Sequence, residues 1–296
     1  MTVLAIDVGG TKIAAGLVDD GLTGVVRCPT GADPWGALTA LVDPLVEGGG
    51  LTGIGVGCGG PMTWPAGEVS PLNIPAWRGF ALRAALEGRY RLPVRLLNDA
   101  LCLAAGEHWR GDWGTDHLLG IVVGTGVGGG LVLDGRLVPG ASGNAGHVGH
   151  VVVDPEGPDC TCGGRGCLEA VARGPAVVGW AASRGCPATD GPSLARLAGE
   201  GDSLALQAFW RAGRALGLGI ASAAALLDVE VVVVGGGLCQ VPSLWHALRT
   251  ELSARARLGF LSDLRVEPAA LGQEAGLLGA AALLLAGDRY WPGPRS

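Results

Sequence analysis

Lysine is almost missing from this chain. Among its 296 residues only Lys12 is a lysine, and arginine carries the rest of the positive charge. The scarcity reads mainly as a coding bias, and it draws attention to the lysine that remains. Charged residues make up 16% and the formal net charge is −6, with no run of five or more Lys/Arg. A nucleic-acid face is therefore not expected. No basic, apolar, small-residue leader precedes the strand-like run at residues 2–7, so no secretory signal is expected. The longest apolar stretch, "GLLGAAALLLAG", falls short of the ~20 residues that span a bilayer. There is no Walker A loop, no G-x-S-x-G elbow, no coiled-coil heptad and no low-complexity tail. These absences lead to the expectation of a cytoplasmic protein, with no membrane or nucleic-acid partner.

The chain is 48% hydrophobic, enough for one large domain or two of ordinary size. Glycine is abundant at 54 residues but scattered between apolar runs, as expected for many tight turns and for backbone that approaches a ligand. In a reducing compartment the 8 cysteines are metal ligands, catalytic groups or small core residues rather than a disulfide framework.

A self-comparison gives the architecture. Residues 10–21, "GTKIAAGLVDDG", and residues 124–135, "GTGVGGGLVLDG", both fit G-T-x-[I/V]-x-x-G-L-V-x-D-G. Each follows an apolar run and ends in an Asp-Gly turn, which gives strand, Gly-Thr turn, strand, hairpin, twice. Chance in a glycine-rich chain is one explanation; duplication of an α/β half is the stronger one. Further strands are expected at "TGIGVGC", "PVRLL" and "VEVVVVGGG", and helices over 100–109, 168–182, 204–226, 243–256 and 275–286. Alternating strands and helices argue an α/β fold. The turn-rich "RGDWGT" near residues 110–115 fits a boundary.

Four stretches carry chemistry. "DVGGTK" places Asp7, Gly9, Gly10, Thr11 and Lys12 on one turn. Glycine frees backbone N–H groups to approach phosphate oxygens, Thr11 and Lys12 add donors, and Asp7 suits a hydrated Mg²⁺. The same residues also suit an ordinary hairpin turn. "VGTGVGGG" (Gly124, Thr125, Gly126) and "VVVVGGGL" (Gly235, Gly236) are two more glycine turns after apolar strands, and together the three suggest a bound polyphosphate and nucleotide. They lack the dinucleotide fingerprint. "PVRLLNDALCLAAGEH" runs a strand into Asn98-Asp99 and a helix. A helix cap is the simpler account of that pair; a carboxylate that accepts a proton from an attacking alcohol is the functional one. "HVVVDPEGPDCTCGGRGCLE" sets Cys160, Cys162 and Cys167 on a glycine-rich loop ten residues after His150. A Cys₃His set of this kind suits a closed, structural zinc, although C-x-C-x₄-C is not the commonest spacing. Cys28, Cys58, Cys102, Cys186 and Cys239 are isolated in apolar context and are expected in the core.

Taken together, "IDVGGTKIAAGLVD", "PLNIPAW", "LPVRLLNDA", "GTGVGGGLVLDGRLVPGASGNAGHVGH", "CTCGGRGCLEA", "VVVVGGGL" and "GLLGAAALL" resemble the ROK family (repressors, open reading frames and sugar kinases), in particular its glucokinase-like bacterial members. The resemblance covers nearly the whole chain. It implies a duplicated actin-like, ribonuclease-H-type ATPase fold with two lobes and a central cleft. The expected lobes are 1–112, completed by a C-terminal helix at 281–296, and 113–280, with the zinc loop at 150–169. The implied reaction is phosphoryl transfer from MgATP to the 6-hydroxyl of a hexose or N-acylhexosamine. Asp99 is the implied general base, and Asn98, His150 and Glu169 the implied sugar contacts, with His150 also on zinc beside the three cysteines. Gly9–Lys12 and Gly124–Gly126 are the implied phosphate turns, and Gly235–Gly236 the nucleotide turn. A homodimer is expected by analogy.

Three departures from the family pattern bear on the substrate. His147 stands where the family has a sugar-binding Glu ("GHVGH" for "GEIGH"). Leu101 ends "NDAL" where Asn is common, and Pro61-Met62 replaces Pro-Gly. His147 removes a charged acceptor near the C1 and C2 hydroxyls, which alters selectivity. The leading expectation is a glucokinase-type enzyme. An N-acylhexosamine kinase, acting on N-acetylmannosamine or N-acetylglucosamine, is the alternative. A non-catalytic sugar sensor is third, because the phosphate turn begins too early for a preceding helix-turn-helix. ATP or polyphosphate as donor is left open.

Overall fold

The computed structural model describes residues 1–291. The chain forms two compact units: Met1–Gly120 with Gly130–Gly146 and the chain from Ala269 on, and Ile121–Gly129 with His147–Pro268.

The first part of the chain builds β1 (Thr2–Val8), β2 (Lys12–Val18), β3 (Leu22–Pro29), α1 (Pro34–Glu47) and β4 (Leu51–Cys58). The short strands β5 (Met62–Thr63) and β6 (Glu68–Val69) follow, then α2 (Leu82–Tyr90), β7 (Val94–Asn98) and α3 (Asp99–Arg110). Its sheet has the order β3-β2-β1-β4-β7. β1 pairs antiparallel with β2 and parallel with β4, and β4 pairs parallel with β7. Leu4, Ala5, Ile6 and Val8 of β1 are fully buried, as expected for a central strand covered on both faces.

The second part builds β8 (Leu118–Val123), β9 (Val127–Leu133) and β10 (Arg136–Leu137), then α4 (Leu168–Ala172), α5 (Gly174–Ala182), α6 (Gly191–Gly199) and α7 (Ser203–Leu227). β11 (Val231–Gly235), α8 (Pro242–Arg255), β12 (Arg265–Pro268) and α9 (Ala275–Leu285) complete it. This sheet has the order β10-β9-β8-β11-β12. Numbered from its own first strand, each five-stranded sheet runs third, second, first, fourth, fifth. The repeated sequence motif therefore marks a repeated topology, and each Gly-Thr turn joins the first and second strands of its sheet.

Helix ends follow local chemistry. Asp33 caps α1 by accepting the Gly36 N–H at 3.0 Å, with Pro34 in the first turn. Asp202 caps α7 through the Ala205 N–H at 2.8 Å, and Asp228 ends it in the left-handed region. α9 is apolar all round and buries Leu277, Gly279, Ala280, Ala281 and Leu283. It packs on α3 so closely that a Cβ on Gly279 would overlap the Cys102 carbonyl.

The structure revises several expectations. Helix 168–182 is broken at Arg173 (φ −65°, ψ 151°) into α4 and α5; Pro175 lacks the N–H that a continuous helix would need. α1, α2, α6 and β12 were not expected. Cys58, Cys102 and Cys186 are core residues. Cys28 and Cys239 are only half-buried: Cys28 lies on edge strand β3, and Cys239 on the turn after β11, where its thiol donates to the Gly235 carbonyl at 3.4 Å. The C-terminal helix expected at 281–296 begins at Ala275 and ends at Leu285, and residues 292–296 lie outside the described residues. No helix among the described residues is long and apolar enough to cross a membrane.

Candidate active site

The site residues fall into two sets. In the first unit, β1 ends at Val8 and the chain turns through Gly9, Gly10 and Thr11 into β2. The turn is pinned at both ends: Gly9 N–H donates to the Lys12 carbonyl at 3.0 Å, and the Thr30 hydroxyl donates to the Gly9 carbonyl at 2.7 Å. Gly10 lies against Asn73, where a Cβ would not fit. Thr11 and Lys12 are exposed. Lys12 Nζ donates to Gln273 Oε1 at 3.2 Å. Asp7 sits just before the turn. A Cβ on Gly276, in the first turn of α9, would stand 2.9 Å from its Oδ2.

Asn98 ends β7 and caps α3, accepting the Ala100 N–H at 3.0 Å. The simpler account of the Asn-Asp pair thus holds for Asn98. Asp99, the first residue of α3, accepts the same N–H through Oδ1 at 2.8 Å. A Cβ on Gly59 would lie 3.9 Å from its Oδ2, so glycine leaves that oxygen room. Asp7 and Asp99 are half-buried. Burial raises the Asp99 pKa, against backbone hydrogen bonds that lower it. Burial first, and then the Asp99 charge, pushes Asp7 up to about 7, against the opposing pull of Lys12. The pair concentrates negative charge in low dielectric, a setting that favours both proton uptake and a divalent cation.

In the second unit, Gly124, Thr125 and Gly126 turn β8 into β9, closed by a Gly124 N–H to Gly126 carbonyl bond of 2.9 Å. Gly174 N–H donates to the Gly124 carbonyl at 2.8 Å. Glu169 Oε2 accepts the Val127 N–H at 2.8 Å. The α4–α5 junction therefore holds the turn from both ends. The Gly235–Gly236 turn packs behind it. Gly236 has φ +110°, and a Cβ there would overlap the Val123 carbonyl.

His150, Cys160, Cys162 and Cys167 bring their ligand atoms within 4.8 Å of one another. Cys160 Sγ lies 3.8 Å from His150 Nδ1, and Cys162 Sγ lies 3.8 Å from Cys167 Sγ. A tetrahedral zinc with Zn–S near ~2.3 Å sets its sulfurs about 3.8 Å apart. The donor set fits a closed tetrahedral metal site. Backbone bonds shape the loop: Cys160 N–H donates to the Gly164 carbonyl at 2.8 Å, and Gly164 N–H to Cys162 Sγ at 3.4 Å. His147 stands outside this group, with its ring stacked on His150 at 5.9 Å. None of the 8 cysteines is in a disulfide.

Within the first unit the fold gathers Asp7, Gly9, Gly10, Thr11, Lys12, Asn98 and Asp99. Within the second it gathers the Gly124–Gly126 and Gly235–Gly236 turns, Glu169, His147, His150 and the cysteines. The sequence did not single out Glu107, Gln273 or Gly276. Glu107 is fully buried on α3 and accepts the N–H groups of Ala270 (3.0 Å) and Leu271 (2.9 Å) and the Trp113 indole N–H (2.9 Å). It thereby fixes the segment that presents Gln273 to Lys12 and Gly276 to Asp7. The available signal was a carboxylate directly after the apolar run 100–106 of α3.

A ROK family sequence profile matches residues 3–286. The chain is 37% identical over 302 aligned residues to an Escherichia coli N-acetylmannosamine kinase, covering 98% of this chain and all of the relative. It is similar to the Streptomyces griseus ROK family glucokinase solved with glucose and AMPPNP, at 31% identity and TM-score 0.87, over 97% of this chain and all of that one. It is also similar to the Thermus thermophilus ROK hexokinase, at 37% identity and TM-score 0.82, over 95% and 97% of the two chains. The fold is thus the α/β, duplicated actin-like one that the family resemblance implied, in agreement with the repeat. With the match running from the first strand to the last helix, the chain belongs to the ROK family.

Proposed function

We propose that this protein transfers the terminal phosphoryl group of MgATP to the 6-hydroxyl of a hexose, in the manner of a glucokinase. The chain is an enzyme, a sugar kinase of the phosphotransferase class. The observation that supports the hexose reaction best is Asp99: a carboxylate at the carboxyl end of a strand, with its Oδ1 held by the Ala100 N–H and its Oδ2 facing Gly59.

Asp99 takes the 6-hydroxyl proton as that oxygen attacks phosphorus, and the bond to the leaving ADP oxygen breaks. Gly9–Lys12 and Gly124–Gly126 hold phosphate oxygens, and Gly235–Gly236 borders the nucleoside. Asp7 would hold the Mg²⁺ through its water shell, and the ion would neutralise phosphate charge there. Asn98, His147, His150 and Glu169 contact the sugar. A structural Zn²⁺ on His150, Cys160, Cys162 and Cys167 would fix the loop that leads into Glu169. The protein works as a cytoplasmic homodimer on a small-molecule sugar.

A coupled assay at saturating MgATP over glucose, mannose, fructose, N-acetylglucosamine and N-acetylmannosamine tests this. Turnover of glucose above the N-acyl sugars is expected, and no turnover with any sugar would sink the kinase reading. Sugar binding without transfer would instead favour a sensor.

One specific observation favours a second reading, an N-acylhexosamine kinase: the 37% identity to the N-acetylmannosamine kinase over nearly full length. Preference for N-acetylmannosamine in the same panel selects it.

A further inference from the structure

Arg173 stands at the break between α4 and α5, and its backbone is tightly held. Its N–H donates to the Glu169 carbonyl at 3.1 Å, and the next residue's N–H donates to the Gly124 carbonyl at 2.8 Å. Residue 173 is therefore one peptide away from the Gly124–Gly126 turn. Its side chain is held by nothing comparable. The Nε is covered from solvent and has no hydrogen-bond partner. By contrast, Arg89, Arg196, Arg214, Arg249 and Arg255 each meet a carboxylate. A guanidinium offers five N–H donors and keeps its charge at any working pH. A half-buried one with no anion of its own is matched to an anion from outside.

The turn beside it needs such a charge. Gly124 N–H is spent on the Gly126 carbonyl and Val127 N–H on Glu169. The first turn of α5 has no donors to lend there either, because Ala176 and Val177 N–H both bond the Arg173 carbonyl. Glu169, the acid on α4, adds negative charge to the same junction. The one lysine of the chain is on the other glycine turn. A polyphosphate at Gly124–Gly126 thus meets neutral donors and a carboxylate, and Arg173 is the cation placed to offset them.

We infer that Arg173 is a phosphate-binding residue of the donor site, pairing with the β-phosphoryl oxygens of a nucleoside di- or triphosphate. The inference rests on the kinase reading above, which does not use this residue. Bidentate pairing of guanidinium with phosphate is the expected contact.

The test is calorimetric binding of ADP and of AMP to the wild-type chain and to Arg173→Ala and Arg173→Lys, with steady-state kinetics in parallel. Arg173→Ala should weaken ADP at least tenfold and raise the KM for MgATP to match, while AMP affinity and the KM for sugar stay within twofold. Arg173→Lys should recover part of the ADP affinity. Equal ADP affinity in wild type and Arg173→Ala would overturn the assignment and leave the kinase reading standing. An equal loss of ADP and AMP would also overturn it, as a distorted turn rather than a missing phosphate contact. A wild-type chain that neither binds ADP nor phosphorylates any sugar removes both.

Discussion

Glu169 accepts the Val127 N–H at 2.8 Å, and that bond ties the cysteine loop to the second glycine turn. Cys167 caps α4, Glu169 sits in its first turn, and Gly174 holds Gly124 just beyond its end. Anything that loosens the cysteine loop should therefore be felt at the turn as well as at the proposed sugar contacts.

About one zinc per chain should be found by metal analysis. Cys162→Ser should lose it, lower the melting temperature and raise the KM for both sugar and MgATP. Unchanged ADP affinity in the zinc-depleted protein would show that the α4 linkage does not carry the effect.

Asp99→Asn keeps the Oδ1 acceptor for the Ala100 N–H, so the fold and sugar binding should survive. Loss of the base should cut kcat by about 10²–10⁴-fold. Wild-type turnover in this variant would refute the assignment.

Asp7 gives a pH signature. Its folded-state pKa is raised from 3.8 to about 7 by burial and by Asp99, so the folded chain binds a proton that the unfolded chain releases. That contribution is full below the unfolded value and is lost as pH rises through about 7. Melting temperatures of the Mg²⁺-free protein should therefore fall as pH rises from 3.8 to about 7. Asp7→Asn should flatten the slope; an unaltered slope would count against the shift.

Glu107→Ala strands the Trp113, Ala270 and Leu271 donors, each at a cost of about 1–3 kcal/mol. The melting temperature should drop by several degrees. Glu107→Gln keeps the volume and one acceptor oxygen, sets its NH2 against the remaining donor, and should recover part of the stability. Equal stability of the alanine variant and wild type would mean water replaces the carboxylate there.

The fold was legible where a pattern repeats or a run is long. The two Gly-Thr motifs announced two sheets of one topology, and α7 and α9 followed from their apolar length. α6 escaped because only Leu194 and Ala198 of "GPSLARLAG" are buried, too few to set a period. The break at Arg173 escaped because Leu168, Ala170 and Ala172 before it and Ala176, Ala181 and Ala182 after it favour helix, while Pro175 decides. The Cys/His cluster was legible from its cysteines, since ligand chemistry is local. Glu107 was not, because its meaning depends on residues 270–271, more than 160 positions away. His147 was visible from the start as a departure, yet the sugar it selects depends on contacts that only a bound hexose makes.

Lys12 also makes the chain unusually simple to label. Apart from the chain terminus it carries the only primary amine in the sequence, and that amine is exposed on the first glycine turn beside Gln273. An acyl reagent or an amine-directed dye therefore reports on one turn of one unit, with no background from other lysines. The rarity that first looked like a quirk of coding leaves one side-chain amine through which that turn can be followed.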